Sequence, residues 1–155
     1  MKTLYIVRHA KSSWDYPELP DEKRPLLEKG KKRTKRIIDD LLRRETVVDL
    51  IVSSPAVRAF ETAKIIGNAL RHAEERLFNL FFDLPSGVDT LMIVGHNPTL
   101  TNFANHFLTQ KIDSIPTSGV VCIDFDTEKW EEIDNMNSKL RFFITPKMLK
   151  KTRKK

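Results

Sequence analysis

Three short apolar runs constrain the fold of this chain more than any other feature. They lie in LYIV at 4–7, DLIVSS at 49–54 and TLMIVG at 90–95, and polar residues follow each one directly. A continuous apolar run of this length, without alternation, is typical of a strand that is covered on both faces, as in a parallel sheet. The three runs therefore predict three neighbouring strands at the centre of one sheet.

Helical patterns fill the intervals between these strands. Apolar residues recur at helical spacings in 37–42, and similar patterns follow Pro55 and span 99–108. Residues 68–87 also have a helical pattern, which either continues the second helix or forms another one after a break. Two further strands are predicted at 120–125 and 140–144. This alternation predicts an α/β fold, a three-layer α/β/α sandwich with a mostly parallel central sheet.

The basic charge of the chain is concentrated at its end. The net charge is +6, yet residues 141–155 contain seven basic residues and no acidic one, so the rest of the chain is close to neutral. We predict a single domain at 1–146 and a basic, solvated C-terminal tail at 147–155. The tail groups too few charges to follow a nucleic-acid backbone, so no nucleic-acid partner is predicted.

Cysteine content and hydropathy favour a cytoplasmic protein. Cys122 is the only cysteine, which excludes an intramolecular disulfide, and its neighbours VVCIDFD indicate a small apolar strand residue. No apolar run approaches the ~20 residues that a membrane-spanning helix needs, and the N-terminus lacks the pattern of a signal segment. We therefore expect a cytoplasmic location without a membrane partner.

Four basic side chains follow the predicted central strands. Arg8 and His9 come directly after the first strand, Arg58 shortly after the second, and His96 directly after the third. Parallel strands place their carboxyl ends at the same edge of a sheet, where α/β proteins bind ligands. Two arginines and two histidines around one small volume are suited to binding a phosphate.

These four residue types can transfer a phosphoryl group. Histidine has an ordinary pKa of about 6.5, so a neutral and nucleophilic imidazole is available near neutral pH. His9 could attack phosphorus and form a covalent phosphohistidine. Arg8 and Arg58 would neutralise the phosphoryl oxygens, and His96 would donate a further hydrogen bond. No group of histidines and carboxylates has metal-ligand spacing, so neither a metal nor another cofactor is predicted.

Motifs at the three strand ends resemble one known family. The segments are RHAKSSW at 8–14, SSPAVRAFETA at 53–63 and VGHNPTLTNFAN at 94–105. Together they resemble the histidine phosphatase superfamily, whose fold is phosphoglycerate mutase-like. RHA, the KSSW that follows it, and PTSG at 116–119 resemble in particular the SixA-type branch of phosphohistidine phosphatases.

The resemblance implies a role for each motif residue. It makes His9 the phosphorylated nucleophile, and the implied phosphate pocket consists of Arg8, Arg58 and His96. Supporting positions in substrate binding are implied for Ser54, Asn97 and Thr117. The expected activity is that of a metal-independent phosphatase that removes the phosphoryl group from phosphohistidine of a protein. Two alternatives are a general phosphomonoesterase for small phosphorylated metabolites and a phosphate-binding module with little turnover.

The chain departs from the family pattern after the Arg58 helix. Relatives usually carry an extra stretch there with a short strand and an acidic residue, whereas NALRHAEERL here makes the connection almost directly, with His72 at the position of a family histidine. This predicts a lost edge strand or an absent loop. The general acid of larger members comes from that region, and no secure candidate for it is present. Phosphohistidine needs such an acid less, because its imidazole can already arrive protonated, so the departure favours P–N cleavage.

Overall fold

The computed structural model of the protein describes residues 1–13, 25–70, 75–76 and 87–150. In this part of the chain the strands are β1 (Lys2–Arg8), β2 (Leu50–Ser53), β3 (Glu75–Arg76), β4 (Thr90–Gly95), β5 (Val120–Phe125) and β6 (Ser138–Ile144). The α-helices are α1 (Glu28–Arg43), α2 (Val57–Ala69), α3 (Thr99–Phe107) and α4 (Pro146–Lys150), and a 3₁₀-helix covers Trp130–Glu132. No helix among the described residues has the length and apolar character to cross a membrane.

The strands form a single sheet in the order β3-β2-β4-β1-β5-β6. The pairs β2–β3, β2–β4 and β1–β4 are parallel, whereas β1–β5 and β5–β6 are antiparallel. The predicted α/β fold is confirmed, but the sheet is mixed rather than mostly parallel. The physical reason is the connection between β5 and β6, which contains only a 3₁₀-helix, because antiparallel neighbours need no crossover helix.

Strand β1 lies at the centre of the core and is buried on both faces. Leu4 and Ile6 belong to a cluster with the apolar face of α3, whereas Tyr5 and Val7 belong to a cluster with α1, α2 and α4. All four residues are at most 3% exposed. Burial of one such side chain stabilises a fold by roughly 1.5–3 kcal/mol. The strand is therefore a rigid support for Arg8 and His9 at its carboxyl end. Helices on both faces of the sheet confirm the three layers.

An edge strand replaces part of the helix predicted for residues 68–87. Helix α2 ends at Ala69, and Glu75–Arg76 pairs in parallel with Ile51 and Val52 of β2. The helical prediction is therefore wrong at this point. Of the two alternatives, a lost edge strand or an absent loop, this strand contradicts the first. A two-residue strand is held by backbone hydrogen bonds and leaves no periodic pattern in the sequence. The rest of the segment, with His72, lies outside the described residues, as do residues 14–24 and 151–155.

Candidate active site

The four predicted side chains meet in one cavity of about 600 Å³ at the carboxyl edge of the parallel strands. Arg8 ends β1 and His9 follows it, His96 follows β4, and Arg58 lies in the first turn of α2. A backbone hydrogen bond joins the carboxyl ends of β1 and β4, since His9 N donates to Gly95 O at 3.0 Å. The rest of the described lining is Lys11, Ser12, Arg33, Asn97, Pro116 and Thr117.

His9 is held as a neutral imidazole with a defined tautomer. Its Nδ1 lies 2.7 Å from the carbonyl oxygen of Ala10, which can only accept, so Nδ1 carries the proton and donates. Nε2 is therefore left with its lone pair. Burial lowers the pKa of His9 to about 4, with further contributions from the positive charges of Arg58, His96 and Arg8. The ring is only 8% exposed and stays unprotonated at neutral pH, which is the state that a nucleophile requires.

Arg8 has hydrogen-bonding capacity left over inside the cavity. Its Nη1 donates to Ile115 O at 3.0 Å, while its Nε is buried and has no hydrogen-bond partner among the described residues. Burial lowers the pKa of this guanidinium, but an arginine stays charged at neutral pH. A buried cationic donor without an acceptor is costly, and a phosphate oxygen would satisfy it.

His96 is held by Ser54, the serine that directly follows β2. Its Nε2 lies 2.6 Å from Ser54 Oγ, and its ring centroid lies 5.5 Å from that of His9. Ser54 therefore contacts the site through His96 and is not part of the cavity lining in the described residues.

Both the nitrogen and the oxygen of the Asn97 side-chain amide form hydrogen bonds within the protein. Its Nδ2 donates to Ile115 O at 2.8 Å and to Ser114 Oγ at 3.0 Å, while its Oδ1 accepts from N and Oγ1 of Thr101. These bonds attach α3 to the loop that Arg8 also contacts. Thr117, in the same loop, lines the cavity directly.

Thr62 is a site residue that the sequence did not reveal. Its hydroxyl accepts from Ala10 N at 2.9 Å and donates to Arg58 O at 2.6 Å. Ala10, whose carbonyl orients His9, is thereby attached to the turn of α2 that carries Arg58. The available signal was its position one helical turn after Arg58, inside the motif SSPAVRAFETA.

Arg33 of α1 also lines the cavity, although no motif in the sequence pointed to it. The close approach of α1 depends on Gly30, because a Cβ there would lie 2.5 Å from Lys11 O. Arg33 follows Gly30 by almost one turn and is half-buried at the cavity. Apolar periodicity carries no information about such a backbone contact, so the position of Arg33 at the cavity could not be predicted from the sequence pattern.

The fold and the site together define a class of protein: an α/β domain whose cationic pocket surrounds a neutral, buried histidine. A family model described as Histidine phosphatase superfamily (branch 1) matches residues 4–82, about half of the chain, which includes the first two motifs. The chain belongs to the histidine phosphatase superfamily, and it is thus an enzyme of the phosphatase type.

Solved structures with the same fold include SixA proteins. One is provisionally assigned as the phosphohistidine phosphatase SixA of Agrobacterium tumefaciens; it is 25% identical with a TM-score of 0.76, over 94% of this chain and 98% of that one. Another is the protein histidine phosphatase SixA complexed with tungstate, 17% identical with a TM-score of 0.77, over 95% and 99%. A phosphoglycerate mutase of Bacillus anthracis is 12% identical with a TM-score of 0.71, over 99% and 97%. A comparison with curated proteins gave no match.

Proposed function

We propose that this protein is a SixA-type phosphatase that hydrolyses phosphohistidine on a protein, without a metal, through a covalent phosphohistidine on His9. The observation that carries the proposal is the tautomer of His9: Nδ1 donates to Ala10 O, so Nε2 presents a lone pair to a cavity that Arg8 and Arg58 make cationic. The cytoplasmic location remains a prediction from the sequence.

In the first step, Nε2 of His9 attacks phosphorus while the P–N bond of the substrate breaks. The electron pair of that bond stays on the departing nitrogen. When the other ring nitrogen of the substrate carries a proton, the leaving group is a neutral imidazole and needs no further proton. Arg8 and Arg58 neutralise the phosphoryl oxygens, and His96, oriented by Ser54, donates one more hydrogen bond.

In the second step, water attacks phosphorus and the bond from phosphorus to Nε2 of His9 breaks. The electron pair returns to Nε2, one proton of the water is released, and inorganic phosphate leaves. Nδ1 keeps its proton throughout, because it donates a hydrogen bond to the Ala10 carbonyl. The same hydrogen bond stabilises the positive charge that develops on the ring.

The cavity lining supports P–N cleavage over P–O cleavage. Among its described residues there is no carboxyl group that could protonate a departing alkoxide. An ester would need such an acid, because an alkoxide is a poor leaving group near neutral pH, whereas imidazole is a good one. Cleavage of a phosphorylated imidazole is thus the reaction that this site can support without a general acid.

A metal-free rate assay with phosphohistidine and with phosphoserine, an ester whose leaving group is an alkoxide, tests the proposal, using the parent, His9→Ala and His106→Ala. His106 is an exposed histidine of α3 and serves as the matched control. We expect turnover of phosphohistidine by the parent and by His106→Ala, and none by His9→Ala. Equal efficiency on the alkyl ester would instead indicate a general phosphomonoesterase, and no turnover of either substrate would indicate a binding module.

A further inference from the structure

A second cavity, lined by cations, opens beside the 600 Å³ cavity that contains Arg8, His9, Arg58 and His96. We call the 600 Å³ cavity the phosphate cavity. The second cavity has a volume of about 860 Å³, and it shares Arg33, Pro116 and Thr117 with the phosphate cavity. We call this second cavity the basic groove. Its six cationic side chains come from α1 and α4 and are Lys29, Lys32, Arg33, Arg36, Lys147 and Lys150.

The cations of the basic groove are not neutralised by the protein in the part of the chain that the structure describes. The described lining contains no aspartate or glutamate, and none of the six cations forms an ion pair with a described carboxylate. Like charges that face each other repel, and an anion between them relieves this repulsion. The groove is therefore electrostatically suited to a ligand with several negative charges.

The two walls of the groove are fixed by apolar packing. Leu149 of α4 is 8% exposed and belongs to the same core cluster as Ile37 and Leu41 of α1. Phe143 and Pro146 add apolar surface between the walls. Because packing holds the two rows of cations together in spite of their repulsion, the groove is a built feature and not a chance result of side-chain placement.

We infer that the basic groove binds an acidic segment of the phosphoprotein substrate, so that the enzyme selects phosphohistidine with nearby aspartate and glutamate. This inference rests on the proposed function. A phosphohistidine that reaches His9 brings its own polypeptide to the mouth of the phosphate cavity, where Arg33 and Thr117 belong to both cavities. Exposed lysines are flexible point charges, which suit scattered carboxylates better than one fixed polyphosphate.

The first experiment compares two phosphohistidine peptides of equal length, one with glutamates and one with serines around the phosphohistidine, and free phosphohistidine as a third substrate. The groove variant is the double mutant Lys32→Glu, Lys147→Glu, with one change in each wall. The matched control is Lys35→Glu, Lys64→Glu, which changes the net charge equally at exposed lysines outside the groove.

For the parent and the control, kcat/KM should be about tenfold higher on the acidic peptide at low salt, and the preference should shrink at high salt. The groove variant should lose the preference and keep its rate on free phosphohistidine. Equal kcat/KM of the parent on both peptides, or an acidic preference that survives in the groove variant, would overturn the inference.

A binding measurement separates this inference from the proposed function. The probe is a fluorescein-labelled, glutamate-rich peptide without phosphate, followed by fluorescence anisotropy. If the parent hydrolyses no phosphohistidine, the proposed function fails and substrate selection fails with it. Binding of an acidic peptide by the groove still stands if the parent and the control bind this peptide and the groove variant does not. Absence of peptide binding in that case, or binding of a short oligonucleotide or of inorganic polyphosphate instead, would overturn the inference.

Discussion

The buried, neutral state of His9 predicts a specific dependence of stability on pH. In the unfolded chain His9 has the ordinary histidine pKa of about 6.5. In the folded protein burial lowers this pKa to about 4, with help from Arg58, His96 and Arg8. Between these two values the unfolded chain binds a proton on this residue that the folded protein does not. Acidification from pH 7 towards pH 4 therefore favours unfolding.

The size of the effect follows from the two pKa values. The stability is fully present above pH 6.5 and is lost progressively as the pH falls through this window towards the folded pKa of about 4. The difference corresponds to about 3 kcal/mol in the limit, and most of it, about 2.5 kcal/mol, is already lost at pH 4.5. His9 is 8% exposed, so screening by solvent reduces this value only modestly.

The test is urea unfolding of the parent, His9→Gln and His106→Gln at pH 7.5 and pH 4.5. Other groups also titrate in this window, but their contribution is common to all three proteins and cancels in the comparison. The parent and His106→Gln should lose about 2–3 kcal/mol more stability on acidification than His9→Gln does. An equal loss for the parent and His9→Gln would refute the reasoning, since it would mean that His9 has similar pKa values in both states.

Three further substitutions test how the site is held. Arg8→Lys should lower kcat/KM at least about 100-fold, because the ammonium of lysine lacks the planar, two-pronged donor geometry with which arginine binds a phosphoryl group, and it should leave the unfolding midpoint nearly unchanged. Thr62→Val leaves the buried Ala10 N–H without its acceptor, so urea unfolding should show a loss of about 1–3 kcal/mol, with a lower kcat because the Ala10 carbonyl orients His9. Gly30→Ala places a Cβ 2.5 Å from Lys11 O, so thermal unfolding should show a loss of about 1–3 kcal/mol.

The sequence was sufficient to predict the residues that come directly after buried strands. Arg8 and His9 follow an apolar run whose four members are all buried, and His96 follows another, so local hydrophobicity located both strand ends. Parallel pairing of β1 and β4 then brought these ends together, as expected. Their catalytic roles remain predictions that the experiments above test.

Contacts between distant segments were beyond the sequence. The entry of Arg33 into the cavity depends on backbone packing at Gly30, and the strand Glu75–Arg76 depends on hydrogen bonds to β2. Neither leaves a periodic pattern, because each is set by one close approach and not by a repeating face. The antiparallel direction of β5 is likewise not evident from its residues, which are apolar except for Asp124 and resemble those of a parallel strand.

The loop at 114–119 holds residues of the candidate site in place, which gives the motif PTSG a structural role. Ile115 O accepts from both Arg8 and Asn97, so one carbonyl positions two residues of the site, one at the end of β1 and one between β4 and α3. Ser118 has a left-handed backbone with φ of 62°, and this turns its N–H towards the carbonyls of Arg8 and His9 at 3.1 and 3.2 Å. Gly119 completes the turn, since a Cβ there would lie 2.9 Å from Pro116 O. The motif thus has a structural role that the sequence pattern does not show. It binds the backbone of Arg8 and His9 along the edge of β1 that faces away from β4.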